Sequence, residues 1–164
     1  MTWYQAPRGL VYTGSGPQPT PHPGTKLEGE PPYVPRELVS FAGDPIASPR
    51  GWLTGNTTSG NNAVTGINPL GIPYLEPILT TSPTLDFQFP LELGTGAPNP
   101  AQFRDAAATN LFYWMNRIHD FFHSIGFDEA AGNYQQDNFG RGGAAGDPLY
   151  AYGHYGSQAQ GLRR

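Results

Sequence analysis

The chain has 164 residues, a formal net charge of −4 and no Cys, and only 13% of its residues are charged. Its acidic and basic residues form no blocks, which argues against nucleic acid or an anionic membrane as a partner, and the lack of Cys excludes a disulfide framework, a thiol nucleophile and a Cys-ligated zinc. With 22 Gly and 18 Pro, much of the backbone is unsuited to helix interiors and central strands, yet three Trp, nine Tyr and nine Phe supply bulky groups to bury, so the chain fits one small domain or part of a larger one.

The N-terminus, MTWYQAPRGLVY, lacks the basic-then-apolar layout of an export signal, and no apolar run approaches the roughly 18 residues of a membrane span. GLVYT predicts one short strand. Residues 13–35 are interrupted by Pro and Gly too often for a helix or a strand ladder and read as an extended linker, so residues 1–35 are set apart from residues 36–164. ELVSFAG, residues 37–43, alternates like a second strand. From 44 to 100 the chain reads as loops with short extended pieces, chiefly TLDFQFPLEL, where Leu85, Phe87 and Phe89 alternate with polar neighbours, and PYLEPIL. GNTTSGNN is a turn-rich loop, and its Asn56-Thr57-Thr58 has the pattern of an N-glycosylation acceptor.

One long helix follows. Asn99 suits the N-cap, Pro100 the first helical position and Gln102 the third, while Gly126 suits the left-handed residue after the last turn. That span covers about 26 residues, or about 39 Å. At 100° per residue Ala108, Leu111, Met115, Ile118, Phe122 and Ile125 form an apolar stripe, widened by Ala107 and Trp114, with Asn110, Arg117, Asp120 and Ser124 outside it. DEAA then predicts a single helical turn stopped by Gly132-Asn133, and the remainder reads as a flexible Gly-rich surface loop. FGRGGAAGDP has neither the Lys-Ser/Thr of a phosphate-binding loop nor a helix after it, and no Gly-x-Ser-x-Gly elbow is present.

Within the helix, His119 and His123 stand one turn apart in HDFFH, a spacing that can offer both imidazoles to one Zn²⁺. A catalytic zinc needs three protein ligands and an open position, and Asp120 stands where a metallopeptidase helix carries Glu. His119 and His123 lie on a shoulder of the stripe, roughly 70° and 110° from its centre, with Asp120 further round and pointing away from them. The plainer expectation is that His119 hydrogen-bonds at the margin of the packing face and His123 is partly solvated. His22 and His154 have no predictable relation to the helix, so a third ligand cannot be named.

Taken as a block, ATNLFYWMNRIHDFFHSIGFDEAAGNYQQDNFGRGGAAGDP resembles the fungalysin family of secreted zinc metalloendopeptidases. That family carries an Asn-Leu-Phe-Tyr-x-x-Asn-x-x-His-Asp helix, then Gly-Phe-(Asp/Asn)-Glu-x-Ala-Gly-Asn-(Phe/Tyr)-Gln and an Asn-(Asn/Phe)-Gly-x-Gly-Gly loop. DPIASPRGWLTGNTTSGNNAVTGI is similar to the Ser-Pro-x-Gly-Trp segment and the Gly-Asn-Asn near the start of the family's catalytic domain, so the resemblance covers roughly residues 36–152. After AGDPLYAY the family's substrate-binding edge run is replaced here by GHYGSQAQGLRR.

The resemblance implies an α+β fold: the β-rich, loop-rich N-terminal lobe of a thermolysin-like metallopeptidase, with one long amphipathic helix at about residues 100–125. It implies that residues 1–35 are the junction between propeptide and peptidase, and that the protein is extracellular. In such enzymes the zinc ligands come from a His-Glu-x-x-His helix and a later Glu, and the first Glu of the motif polarises the attacking water. No His-Glu-x-x-His occurs in these 164 residues, so no catalytic or cofactor-binding residue carries over and no zinc is expected to bind here. His119 and Asp120 match the family's His-Asp and are implied to be structural; His123 is outside the shared pattern. The implied partners are a C-terminal catalytic lobe and, for the complete enzyme, a polypeptide substrate. Two other expectations stand beside an inactive peptidase lobe: a non-catalytic interaction module built on the same lobe, and a self-contained HDFFH zinc site.

Overall fold

A computed structural model describes residues 6–13, 36–91 and 100–157. The strands are β1 (Arg8–Val11), β2 (Glu37–Ser40), β3 (Ala63–Ile67), β4 (Ile78–Leu79), β5 (Asp86–Phe87) and β6 (Leu149–Gly153), and the helix α1 is Arg104–Ser124. Among the described residues they make two three-stranded sheets, ordered β2-β1-β5 and β4-β3-β6. The first sheet pairs β1 antiparallel to β2, with Leu10 opposite Leu38, and parallel to β5. The second pairs β3 antiparallel to β4 and parallel to β6, from Ala63 opposite Leu149 to Ile67 opposite Gly153. Helix α1 packs on β1, β3 and β6 and so bridges both sheets. The α+β expectation is met.

The core is aromatic. Phe41 sits at its centre, with ring centroids 5.9 Å from Trp52, 5.9 Å from Phe87 and 5.5 Å from Phe112, and Val11 and Tyr113 complete the buried cluster. Fully burying each such side chain is worth about 1.5–3 kcal/mol, and the tilted and edge-on ring pairs add about 0.5–1.5 kcal/mol each. A scaffold with so few long elements is held by these rings more than by its short ladders.

Sequence and structure differ at the helix. The α-helical turns start at Arg104, after a 3₁₀ turn at Pro100–Phe103, and the cap residue Phe103 makes no side-chain capping bond. The Asn99 cap lies outside the described residues, as do residues 14–35 of the linker and the tail from residue 158. At the other end Gly126, at φ 102°, donates to His123 O and Phe127 N donates to Phe122 O, the two bonds of a Schellman motif.

The buried face is also rotated from the apolar stripe. Ala106, Ala108, Thr109, Phe112, Tyr113, Asn116, His119 and Asp120 face inward, while Leu111, Met115 and Ile118 are half-buried and Phe122 and Ile125 are exposed. Asp120, placed outside the packing face by periodicity, is inside. The reason is that α1 buries polar side chains whose hydrogen bonds are supplied by loops, so hydropathy alone picks the wrong side.

β3 and β6 were not apparent from alternation. β3 is buried along nearly its whole length, and a central strand covered on both faces loses the two-residue rhythm.

Candidate functional site

The inward polar side of α1 meets a turn made by DPIAS. Asp44 Oδ1 accepts from the N–H groups of Ile46 and Ala47, at 2.8 and 2.9 Å, and Asp44 O accepts from Ser48 N, at 2.8 Å. This is a side-chain-capped turn with Pro at its second position. Gly43, at φ 71°, lets the Trp52 indole lie against the backbone where any Cβ would collide with Nε1.

These pieces converge on Asp120. Its carboxylate accepts from Ser48 Oγ at 2.7 Å, Trp52 Nε1 at 2.8 Å, Asp44 N at 2.9 Å and His119 Nδ1 at 3.1 Å. Burial alone pushes its pKa up, but the hydrogen bonds from His119, Asp44, Ser48 and Trp52 outweigh it and hold the group below the ordinary aspartate range. The other ring nitrogen of His119, Nε2, faces the Asn133 amide nitrogen at 3.4 Å.

The network runs on through amides. Asn62 donates to Ser48 Oγ at 2.9 Å and to Asn116 Oδ1 at 3.1 Å, Gln135 donates to Asn62 Oδ1 at 3.4 Å, and Asn133 donates to Gln135 Oε1 at 3.0 Å. Tyr134 packs edge-on to His119 with centroids 5.6 Å apart, and its phenol pKa is raised by burial and then by the Asp120 charge.

His123 belongs to a second cluster. Buried Glu129 accepts from His123 Nε2 and from Arg141 Nη1, each at 3.2 Å, and Arg141 also donates to Ile46 O at 2.6 Å. The guanidinium groups of Arg50 and Arg141 lie 4.9 and 5.6 Å from the Phe139 ring centroid, and Asn138 donates to Gly142 O and Ala144 O. The Gly-rich segment, expected to be a flexible loop, is therefore anchored at Asn138, Phe139 and Arg141.

Two sequence expectations about this face are corrected. His119 is 2% exposed and lies inside the packing face, not at its margin. Asp120 hydrogen-bonds His119 instead of pointing away from it. His123, by contrast, keeps some contact with solvent as expected, its side chain 11% exposed.

Zinc does not fit these donors. The His119 nitrogens face Asp120 and Asn133, His123 Nε2 faces Glu129, and among the described residues no three His, Cys, Asp or Glu side chains are placed to hold one ion. What the arrangement does chemically is tie three segments together: DPIASPRGW, α1 and residues 129–141. Sequence reasoning missed Ser48, Trp52, Asn62, Asn116, Asn133 and Gln135, although the Ser-Pro-x-Gly-Trp and Gly-Asn-Asn runs carried the signal.

The model of the fungalysin metallopeptidases (M36) matches residues 25–161. This chain belongs to that family. It is 40% identical over 124 residues to the extracellular metalloproteinase mep of Aspergillus flavus, an alignment covering 72% of this chain and 19% of that protein. It is 44% identical over 92 residues to the extracellular metalloproteinase MEP of Fusarium vanettenii, covering 56% of this chain and 14% of that protein. It is also 44% identical over 107 residues to extracellular metalloproteinase 3 of Arthroderma gypseum, covering 62% and 17%. The fungalysin-family chain thus spans about a fifth or less of the length of these relatives. Among its described residues no helix is long and apolar enough to cross a membrane.

Proposed function

We propose that this chain is the N-terminal lobe of a fungalysin-type zinc metalloendopeptidase, exported from the cell, and that it is inactive by itself. In this reading the complete enzyme hydrolyses internal peptide bonds with a zinc-activated water, and another part of the polypeptide supplies every metal ligand. In the same reading residues 36–164 belong to the peptidase domain and the junction with a propeptide falls within residues 1–35, whose β1 already sits between β2 and β5 in the first sheet.

The observation that carries the reading is the uncovered side of α1. Phe121, Phe122, Ile125 and Phe127 are 59%, 43%, 64% and 39% exposed, beside the half-buried Leu111, Met115 and Ile118. An apolar surface of this kind on a folded domain marks a missing partner, and the chain's small share of its relatives' length makes the remaining peptidase lobe the natural cover.

The test is an assay of the purified chain on casein, with added zinc and with a chelator. No hydrolysis is expected, and thermal unfolding should be unchanged by the chelator. Casein hydrolysis that copurifies with the chain and is blocked by chelation would overturn the proposal. A chain that stays monomeric at high concentration would favour an independent interaction module.

A further inference from the structure

We propose that Asn56 accepts an N-linked oligosaccharide, added before the segment around it folds. Exposure to the transferring machinery rests on the extracellular reading above; the site itself rests on geometry.

Asn56-Thr57-Thr58 is the single Asn-x-Ser/Thr triplet in the sequence. Among the described residues Asn56 is also the one exposed Asn. Asn62, Asn68, Asn116, Asn133 and Asn138 are buried, and Asn61 and Asn110 are half-buried. The buried asparagines brace loops with their amides, as Asn62 and Asn138 do, whereas Asn56 is held through its backbone, its carbonyl accepting from Ser82 N at 2.8 Å. On the preceding residue, Gly55, an added Cβ would meet nothing within 4 Å. A bulky, hydrated glycan therefore has open space beside a fixed attachment point.

The hydroxyl that completes the triplet is in the opposite situation. Thr58 is 0% exposed, and its Oγ1 donates to Thr65 O at 2.6 Å and accepts from Thr80 N at 3.2 Å. A transferase that must engage this hydroxyl cannot reach it once Thr65 of β3 and Thr80 are in place. Transfer therefore precedes folding, and the same threonine afterwards becomes part of the interior. In the transfer Asn56 Nδ2 attacks the anomeric carbon of a lipid-pyrophosphate-linked oligosaccharide. The N–C bond forms as the C–O bond to pyrophosphate breaks, the lipid pyrophosphate leaves with the electron pair, and the displaced amide proton passes to it or to solvent.

The experiment translates the full chain behind a cleavable export signal in the presence of microsomes and reads the protease-protected product. One discrete gain in mass is expected, removed by endoglycosidase, retained in Thr58→Ser and lost in both Asn56→Gln and Thr58→Val. Protected product at the bare polypeptide mass overturns the site. The folded chain from bacteria, offered to the same solubilised transferase, should remain unmodified; its modification overturns the order of events. Because the export signal is supplied and the product is read at import, misfolding of a variant does not obscure the result. For the same reason, failure of the site leaves the peptidase reading untouched.

Discussion

Trp52 and Asp120 are joined by a buried hydrogen bond of 2.8 Å from the indole Nε1 to Oδ2, which ties the Ser-Pro-Arg-Gly-Trp segment to the C-terminal part of α1. Trp52→Phe keeps the ring in the aromatic core but removes this donor from a buried carboxylate. The expected loss is about 1.5–3 kcal/mol, the range for a hydrogen bond to a charged group. Urea unfolding measures it, and a change within about 0.5 kcal/mol, typical of a surface substitution, would show that the bond contributes little.

Acid should act through the same carboxylate. Asp120 is held below the ordinary range in the fold, while its unfolded value is about 3.9. The group therefore contributes stability above that value and loses it as the pH falls through the folded pKa. Stability should be level from neutrality to about pH 5 and decline below about pH 4, and Asp120→Asn should flatten part of that decline. Asp86 is also lowered, first by its hydrogen bond from Arg8, but this pair is partly exposed, so its share should shrink with salt while that of Asp120 persists. Unfolding titrations at low and high salt separate the two.

Gly126→Ala isolates a backbone effect. The residue is left-handed, and an added Cβ would meet nothing within 4 Å, so strain is the whole cost. A loss of about 1–2 kcal/mol is expected from calorimetry, with Gly126→Asn milder. Equal losses for Ala and Asn would point to packing instead.

The uncovered helix side predicts a change in association without a change in stability. Replacing Phe122 and Ile125 together by Ser should leave the unfolding midpoint nearly unchanged, since both are exposed, and should lower self-association in sedimentation. A large drop in the midpoint would mean that these side chains support the fold of the lobe itself.

Much of this was legible in the sequence where the signal was local. β1, β2, the stop at Gly126 and the family block all rest on short patterns. The orientation of α1 was not legible, because Asp120 reads as outside the packing face and His119 as its margin until the Asp44 turn, Ser48 and Trp52 are seen to satisfy the carboxylate. β3 and β6 were hidden for another reason: each is paired with a strand far away in sequence, and β3 is too buried to alternate. The histidine spacing was real, but spacing cannot reveal that Asp120, Asn133 and Glu129 already occupy the ring nitrogens.

The parallel register between β3 and β6 sets a clock on biosynthesis. At about 5–20 residues per second, the ribosome takes on the order of 10 s to make the stretch between these strands. During that interval β3 has a raw edge on the side that β6 will later close. The edge of β3 thus stays open to wrong partners until β6 pairs with it, and the yield in a cell should depend on what shields that edge during those seconds.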